Sequence, residues 1–177
     1  MIFKYQKIIT SLRAGQELDI ISEGIKKLSL PAGFFEFVIY AISELLANVK
    51  EHAKTNKALV SVRADKHRCF IGIVDKGVGL KQPYLSKHIY VKDDFAAIEF
   101  AIGGLSTKNF QERGFGLYSI RKLTEGLGGG MIVQSGFAAA LIRKNKIHFS
   151  NLKNELRGVT VKIEAPVKKI DFYKVVS

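Results

Sequence analysis

The sequence predicts an α+β fold, a two-layer sandwich whose mixed, mostly antiparallel sheet carries helices on one face. Three observations carry this expectation. Helical periodicity dominates the first third of the chain and returns once in the middle. At least five alternating segments follow one another in hairpin-like succession. The 177 residues show no repeat, low-complexity tract or Pro/Ser-rich linker, and a 47% hydrophobic content suits one ordinary core.

The elements follow in order. Ile8, Leu12, Leu18, Ile21, Ile25 and Leu28 stand at mostly helical spacings, and Leu30-Pro31-Ala32-Gly33 breaks the run. Phe34, Phe37, Val38, Ala41, Leu45 and Val49 recur at three and four residues, which predicts a helix over 34–53 with one apolar face. Ala58 to Ala64 alternates as a strand, Asp65 to Arg68 reads as a turn, and Cys69 to Asp75 reads as a buried neighbouring strand. A weak helical stretch lies near Asp93 to Ile102, and Phe115 to Leu127 predicts a helix that Gly128-Gly129-Gly130 stops. Met131 to Ser135, Ala138 to Lys144 and Val159 to Ala165 read as strands. Residues 76–114 form a glycine-bearing connection too long to be idle in a compact domain, and are read as a binding loop or lid.

Composition excludes several function classes. Cys69 is the only cysteine, so neither an internal disulfide nor a multi-cysteine metal site is available. No run of about 18 apolar residues predicts a spanning helix, and the first residues lack the h-region and cleavage site of a secretion signal; a cytoplasmic location is the expectation. The formal charge of +12 points to an anionic partner. Nine Lys/Arg and three Asp/Glu fall from Arg143 onward, alternating with apolar residues as in strands with one wet face. That distribution argues against nucleic acid and for a solvated basic surface.

Three short segments carry chemistry. Glu44, Asn48 and His52 sit at i, i+4 and i+8 of the second helix and form one polar ridge. A carboxylate and an amide stacked in this way suit a hard cation such as Mg2+, and Glu44 is also placed to orient or deprotonate a nucleophile; a solvated helix face fits the same pattern. Asp75-Lys76-Gly77-Val78-Gly79 follows the buried strand. Its carboxylate is an acceptor for an exocyclic amine, and its glycines let backbone approach a flat ligand; a tight turn without ligand reads the same. Ser106-Thr107-Lys108 is followed by Arg113-Gly114-Phe115-Gly116-Leu117. Glycines leading into a helix expose N–H groups at its positive end, a phosphate cradle, or a plain glycine turn with surface cations.

In the order E-x-x-x-N, D-x-G-x-G, S-T-K…G-x-G-L, these segments resemble the Bergerat-fold (GHKL) ATP-binding family, which groups gyrase B, heat-shock-90 chaperones, mismatch-repair ATPases, sensor histidine kinases and anti-sigma-factor serine kinases. The resemblance spans roughly residues 33–166 and includes Gly129-Gly130-Met131-Ile132-Val133 and Arg157-Gly158-Val159-Thr160-Val161. It divides the chain into an N-terminal helical extension (1–32), an ATP-binding domain (33–166) and a basic C-terminal tail (167–177). It implies ATP and Mg2+ as cofactors. Asn48 would hold Mg2+ with Glu44, and Glu44 would be the general base. Asp75 would bind the adenine amine, with Gly77 and Gly79 shaping its pocket. Thr107, Lys108 and Arg113 would belong to the ATP lid, and Gly114, Gly116 and Leu117 to the phosphate-facing helix start.

Two departures from the family pattern stand out. Glu51 occupies a position where many sensor kinases carry a phosphate-contacting Lys. The late Gly-Thr reads Gly158-Val159-Thr160, so the hydroxyl that supports the adenine site is missing or displaced by one residue, which on a strand flips its face. His52 is read as a buried packing residue. None of the four histidines (His52, His67, His88, His148) precedes the core helix, which argues against histidine autophosphorylation in cis, although the lid looks most like sensor kinases. The length expected of gyrase, chaperone and mismatch-repair relatives is greater. The resemblance therefore implies a stand-alone anti-sigma-type Ser/Thr kinase, with a sigma factor or an anti-sigma antagonist as partner and a homodimer as one arrangement. The alternatives are a nucleotide-sensing module with little turnover and the catalytic part of a split histidine kinase.

Overall fold

A computed structural model describes residues 1–10, 13–105 and 116–176. Strands β1 (Phe3–Thr10), β2 (Lys57–Ala64), β3 (Arg68–Asp75), β4 (Gly130–Arg143) and β5 (Lys146–Pro166) form one sheet in the order β1-β2-β3-β5-β4. All four pairings are antiparallel. Helices α1 (Ala14–Lys26), α2 (Phe34–His52), α3 (Lys81–Ser86), α4 (Asp94–Gly103), α5 (Gly116–Gly126) and α6 (Phe172–Val176) complete the described elements. The α+β sandwich read from the sequence is the fold.

The sheet's inner face is set by strict alternation. Ala58, Val60, Val62 and Ala64 of β2 and Cys69, Ile71, Ile73 and Asp75 of β3 are buried while their neighbours are not. Against them α2 lays Phe34, Phe37, Val38, Ala41, Ile42, Leu45, Leu46 and Val49, all buried. Each large side chain removed from water in this way contributes about 1.5–3 kcal/mol, so this helix is pinned to the sheet. Its inward face fixes where its polar ridge points.

Three differences from the sequence reading have physical causes. The helix expected from Ile8 begins only at Ala14, because Phe3–Thr10 pairs with β2 along its full length, Phe3 opposite Ala64 and Thr10 opposite Lys57. Tyr5 and Lys7 of this strand both donate to the buried Glu17 of α1, which locks strand to helix and holds the Glu17 carboxyl below its ordinary range. Second, the basic end of the chain docks on α2. The Ile170 N–H donates to the Ala32 carbonyl, Phe172 packs edge-on against Tyr40, and the Ile170 carbonyl comes so close to Gly33 (φ 80°) that a Cβ there would sit 2.0 Å from it.

Third, the strands expected at Met131–Ser135 and Ala138–Lys144 belong to one β4, interrupted by register shifts around Gly136 (φ 59°). A Cβ on Gly130 would lie 3.3 Å from the Ile142 carbonyl oxygen. Twelve residues of straight strand span about 40 Å, so β4 doubles back on itself at Gly136. The returning arm meets α4, where the Phe137 N–H donates to the Asp94 carboxylate and Phe149 packs edge-on against Phe95.

Candidate functional site

The polar ridge of α2 lies beside a cleft. Because its apolar face is committed to the sheet, Glu44, Asn48 and His52 emerge along one margin of the helix, half-buried. Asn48 and His52 line the cavity. Glu44 stands one turn further toward the helix N-terminus, where it meets the start of α5. A Cβ placed on Gly116 would lie 2.8 Å from the Glu44 Oε2, 3.4 Å from the Asn48 Nδ2 and 3.8 Å from the Asn48 Oδ1. The first residue of α5 therefore sits directly on the two oxygen-bearing side chains of α2.

Asp75 ends β3 on its inner face and is 5% exposed. Burial pushes its carboxyl above the ordinary carboxylate range, and hydrogen bonds from the backbone N–H groups of Gly77 and Val159 partly offset that shift by favouring the charged form. The Gly77 N–H reaches Oδ1 at 2.8 Å. Two glycines are obligatory in holding this arrangement. A Cβ on Gly77 would stand 2.1 Å from the Ala53 carbonyl oxygen, which accepts the Val78 N–H. Gly158 adopts φ 86°, and a Cβ there would be 2.3 Å from the Asp75 carbonyl oxygen, 2.7 Å from its Oδ1 and 2.7 Å from the Gly77 nitrogen. Gly79 (φ 76°) turns the chain so that the Leu80 N–H donates to the Ser135 hydroxyl at 2.9 Å.

The far wall comes from α3 and α4. Tyr84 is buried, its hydroxyl donates to the Leu105 carbonyl at 2.7 Å, and burial raises its pKa to about 12. With Leu45, Ile73, Leu80 and Val161 it gives the cavity an apolar lining. The cavity measures about 100 Å3, against the roughly 300–1,000 Å3 of a pocket that engulfs a whole drug-sized ligand. That volume suits the flat end of a ligand and not the whole of one. A donor entering it meets one buried anionic acceptor, Asp75.

The residues singled out in the sequence fall into three groups. Asn48, Asp75, Gly79, Gly116 and Leu117 line the one cavity. Gly77 backs Asp75, and Glu44 touches the start of α5. Thr107, Lys108, Arg113 and Gly114 lie outside the described residues. His52 differs from its sequence reading: its side chain is 30% exposed, lies 3.7 Å from the Glu51 carboxylate and faces the cavity rather than the core. Val159 and Val161 line the cavity, so strand alternation turns the Thr160 side chain to the opposite face of the sheet. The hydroxyl of that segment is displaced out of the site. The sequence reading missed Leu80 and Tyr84; their signal is the short helix Lys81–Ser86, directly after the glycine turn.

A family model described as histidine kinase-, DNA gyrase B- and HSP90-like ATPase matches residues 36–169. The match runs from Glu36 in α2 past the end of β5 and takes in every described residue that lines the cavity. No curated protein sequence matches the chain.

Proposed function

The chain belongs to the family of histidine kinase-, DNA gyrase B- and HSP90-like ATPases, and from that membership we propose that it is a regulatory protein kinase of the anti-sigma-factor type, transferring phosphate from ATP to a serine or threonine of a protein partner. Membership makes it an adenine-nucleotide-binding module. The kinase reading rests on one observation above others: Asp75 and Asn48, on separate elements, line the same cavity.

The donor set suits the cofactors the family uses. Asp75 offers a buried acceptor for the adenine amine, and Gly77 and Gly79 keep Cβ atoms away from the ring. No cluster of three or more His, Cys, Asp or Glu side chains suited to a metal is present among the described residues. Glu44 and Asn48 converging on Gly116 fit Mg2+, which takes one or two protein oxygens and completes its shell with phosphate and water. When bound, ATP and Mg2+ supply the phosphoryl group and the neutralisation of its developing charge. In this reading Asn48 and Glu44 hold the metal, and Glu44 also takes the proton of the attacking hydroxyl. The family resemblance would assign the backbone N–H groups of Gly116 and Leu117 to the phosphates; Gly114, Thr107, Lys108 and Arg113, which it would assign to the phosphate-facing turn and the lid, lie outside the described residues. A sigma factor or an anti-sigma antagonist is the expected partner. A homodimer and a cytoplasmic setting accompany that type, and no helix among the described residues is long and apolar enough to cross a membrane.

Val159 favours a second reading, a nucleotide-sensing module with little turnover, because it stands where the family pattern has a threonine hydroxyl supporting the adenine site. Labelled ATP incubated with candidate partners separates the readings. Acid-stable label on a partner supports the Ser/Thr kinase; acid-labile label supports a split histidine kinase; binding without transfer supports the sensor. Glu44→Ala is expected to keep nucleotide affinity within a few-fold while turnover falls about 10²–10⁴-fold. Unchanged turnover in that variant removes Glu44 as the base.

A further inference from the structure

Behind the glycine turn lies a second concavity, of about 410 Å3, lined by Lys54, Lys76, Gln82 and Arg157 around the backbone of Ala53, Gly77 and Val78. Its polar groups arrive from four places: the residue after the α2 cap, the turn after β3, helix α3 and strand β5. Three are cationic, one is an amide, and no acidic side chain lines it. None of the three cations has a hydrogen bond or ion pair among the described residues. All three are exposed, and an anion placed in the concavity can pair with more than one of them. Lys54 is held there with φ 50°, a conformation that non-glycine residues seldom adopt, just past the C-terminus of α2, whose dipole favours a cation.

We propose that the Lys54–Lys76–Arg157 concavity is an anion site that takes a phosphomonoester dianion, free or carried on a protein side chain. A phosphomonoester brings close to two negative charges and three terminal oxygens, enough to pair with several cations at once, and a guanidinium meets such oxygens bidentately. A single carboxylate leaves most of the positive charge uncompensated. The site goes beyond the nucleotide reading, because its cations line a separate concavity and none of them lines the first cavity.

Calorimetric titration of inorganic phosphate and of phosphoserine into ADP-saturated protein tests the proposal. Binding is expected in the wild type and is expected to weaken about tenfold in Lys54→Ala and in Arg157→Ala, one charge-assisted contact each, with ADP affinity unchanged. A short phosphoserine peptide without other charges, compared with its unphosphorylated form, identifies the source. Affinity at least tenfold above free phosphoserine marks a protein-borne ligand, and equal affinity marks a free small anion. Absence of binding, or equal binding in all three proteins, overturns the site. Should ADP itself fail to bind, the nucleotide reading fails separately; repeating the titration on nucleotide-free protein with the same two variants still tests whether these side chains hold the anion.

Discussion

Two glycines brace side chains on opposite sides of the cavity, Gly158 against Asp75 and Gly116 against Glu44 and Asn48, and they meet different obstacles. At the base end, Gly158 faces main chain: the carbonyl oxygen of Asp75 and the nitrogen of Gly77, with a backbone φ of 86°. At the helix end, Gly116 faces the tip of a flexible side chain, the Glu44 carboxylate at 2.8 Å. Main chain in a paired sheet cannot retreat, whereas a glutamate can change rotamer. On the proposed reading, the position that would recognise the base is therefore set by backbone, and the oxygens opposite it sit on side chains. The difference separates a rigid specificity element from a part that has to accommodate changing charge.

Substitutions sharpen that contrast. Gly158→Ala is expected to have the largest effect, because a Cβ would collide with two backbone groups in a region of φ that alanine avoids. Stability should fall by about 3 kcal/mol or more, read by denaturant unfolding, and adenosine binding should be lost. Asp75→Asn should leave the fold intact and weaken adenosine about a hundredfold, since an amide nitrogen then competes for the position of an acceptor facing a donor. Its stability should be unchanged or higher, because the buried charge is gone.

The pH dependence of Asp75 follows from the same burial. Its raised pKa means that the folded protein holds this proton to higher pH than the unfolded chain does. Its contribution to stability is thus greatest at low pH and is withdrawn as pH climbs through the raised value. Adenosine affinity moves the opposite way. Protonation removes the negative charge and turns one carboxylate oxygen into a donor, so affinity should fall by up to about tenfold per pH unit on acidification through the raised pKa. The wild type should show this slope in a binding titration and Asp75→Asn should not; a slope equal in both removes Asp75 from base recognition. The smallest effect is expected at the other glycine. Gly116→Ala displaces only the Glu44 side chain and gains helix propensity, so unfolding should shift by less than about 1 kcal/mol. A loss comparable to that of Gly158→Ala would erase the distinction between the two ends.

Much of this was legible before any coordinates. The helical spacing from Phe34 to Val49 and the alternation in Ala58–Ala64 and Cys69–Asp75 reflect a single buried face each, and such patterns survive in the sequence because each residue reports its own burial. The carboxylate, amide and glycine segments were each legible as local motifs, and only their resemblance to a known family suggested that they share a site. What was illegible depended on partners distant in sequence. Ile8 and Leu12 stand four apart, as in a helix, yet pairing with β2 claims Phe3–Thr10 as a strand. The docking of Ile170 and Phe172 on Gly33 and Tyr40 has no local signature. His52 carried no sign of which neighbour it would meet, and it faces the cavity.

By itself, then, the order of residues determined the helix from Phe34, the strands at Ala58–Ala64 and Cys69–Asp75, which face of each is apolar, and that a carboxylate would end one strand and an amide lie on the polar ridge of that helix. Those properties are local, set by periodicity and by steric limits within a few residues. Tertiary structure alone decided that Asp75 and Asn48 open onto one cavity, that Val159 rather than Thr160 faces it, and that three cations gather behind Gly77. Each of these depends on strand register and on close packing between segments separated by tens of residues, where a shift of one position would send the side chain to the other face.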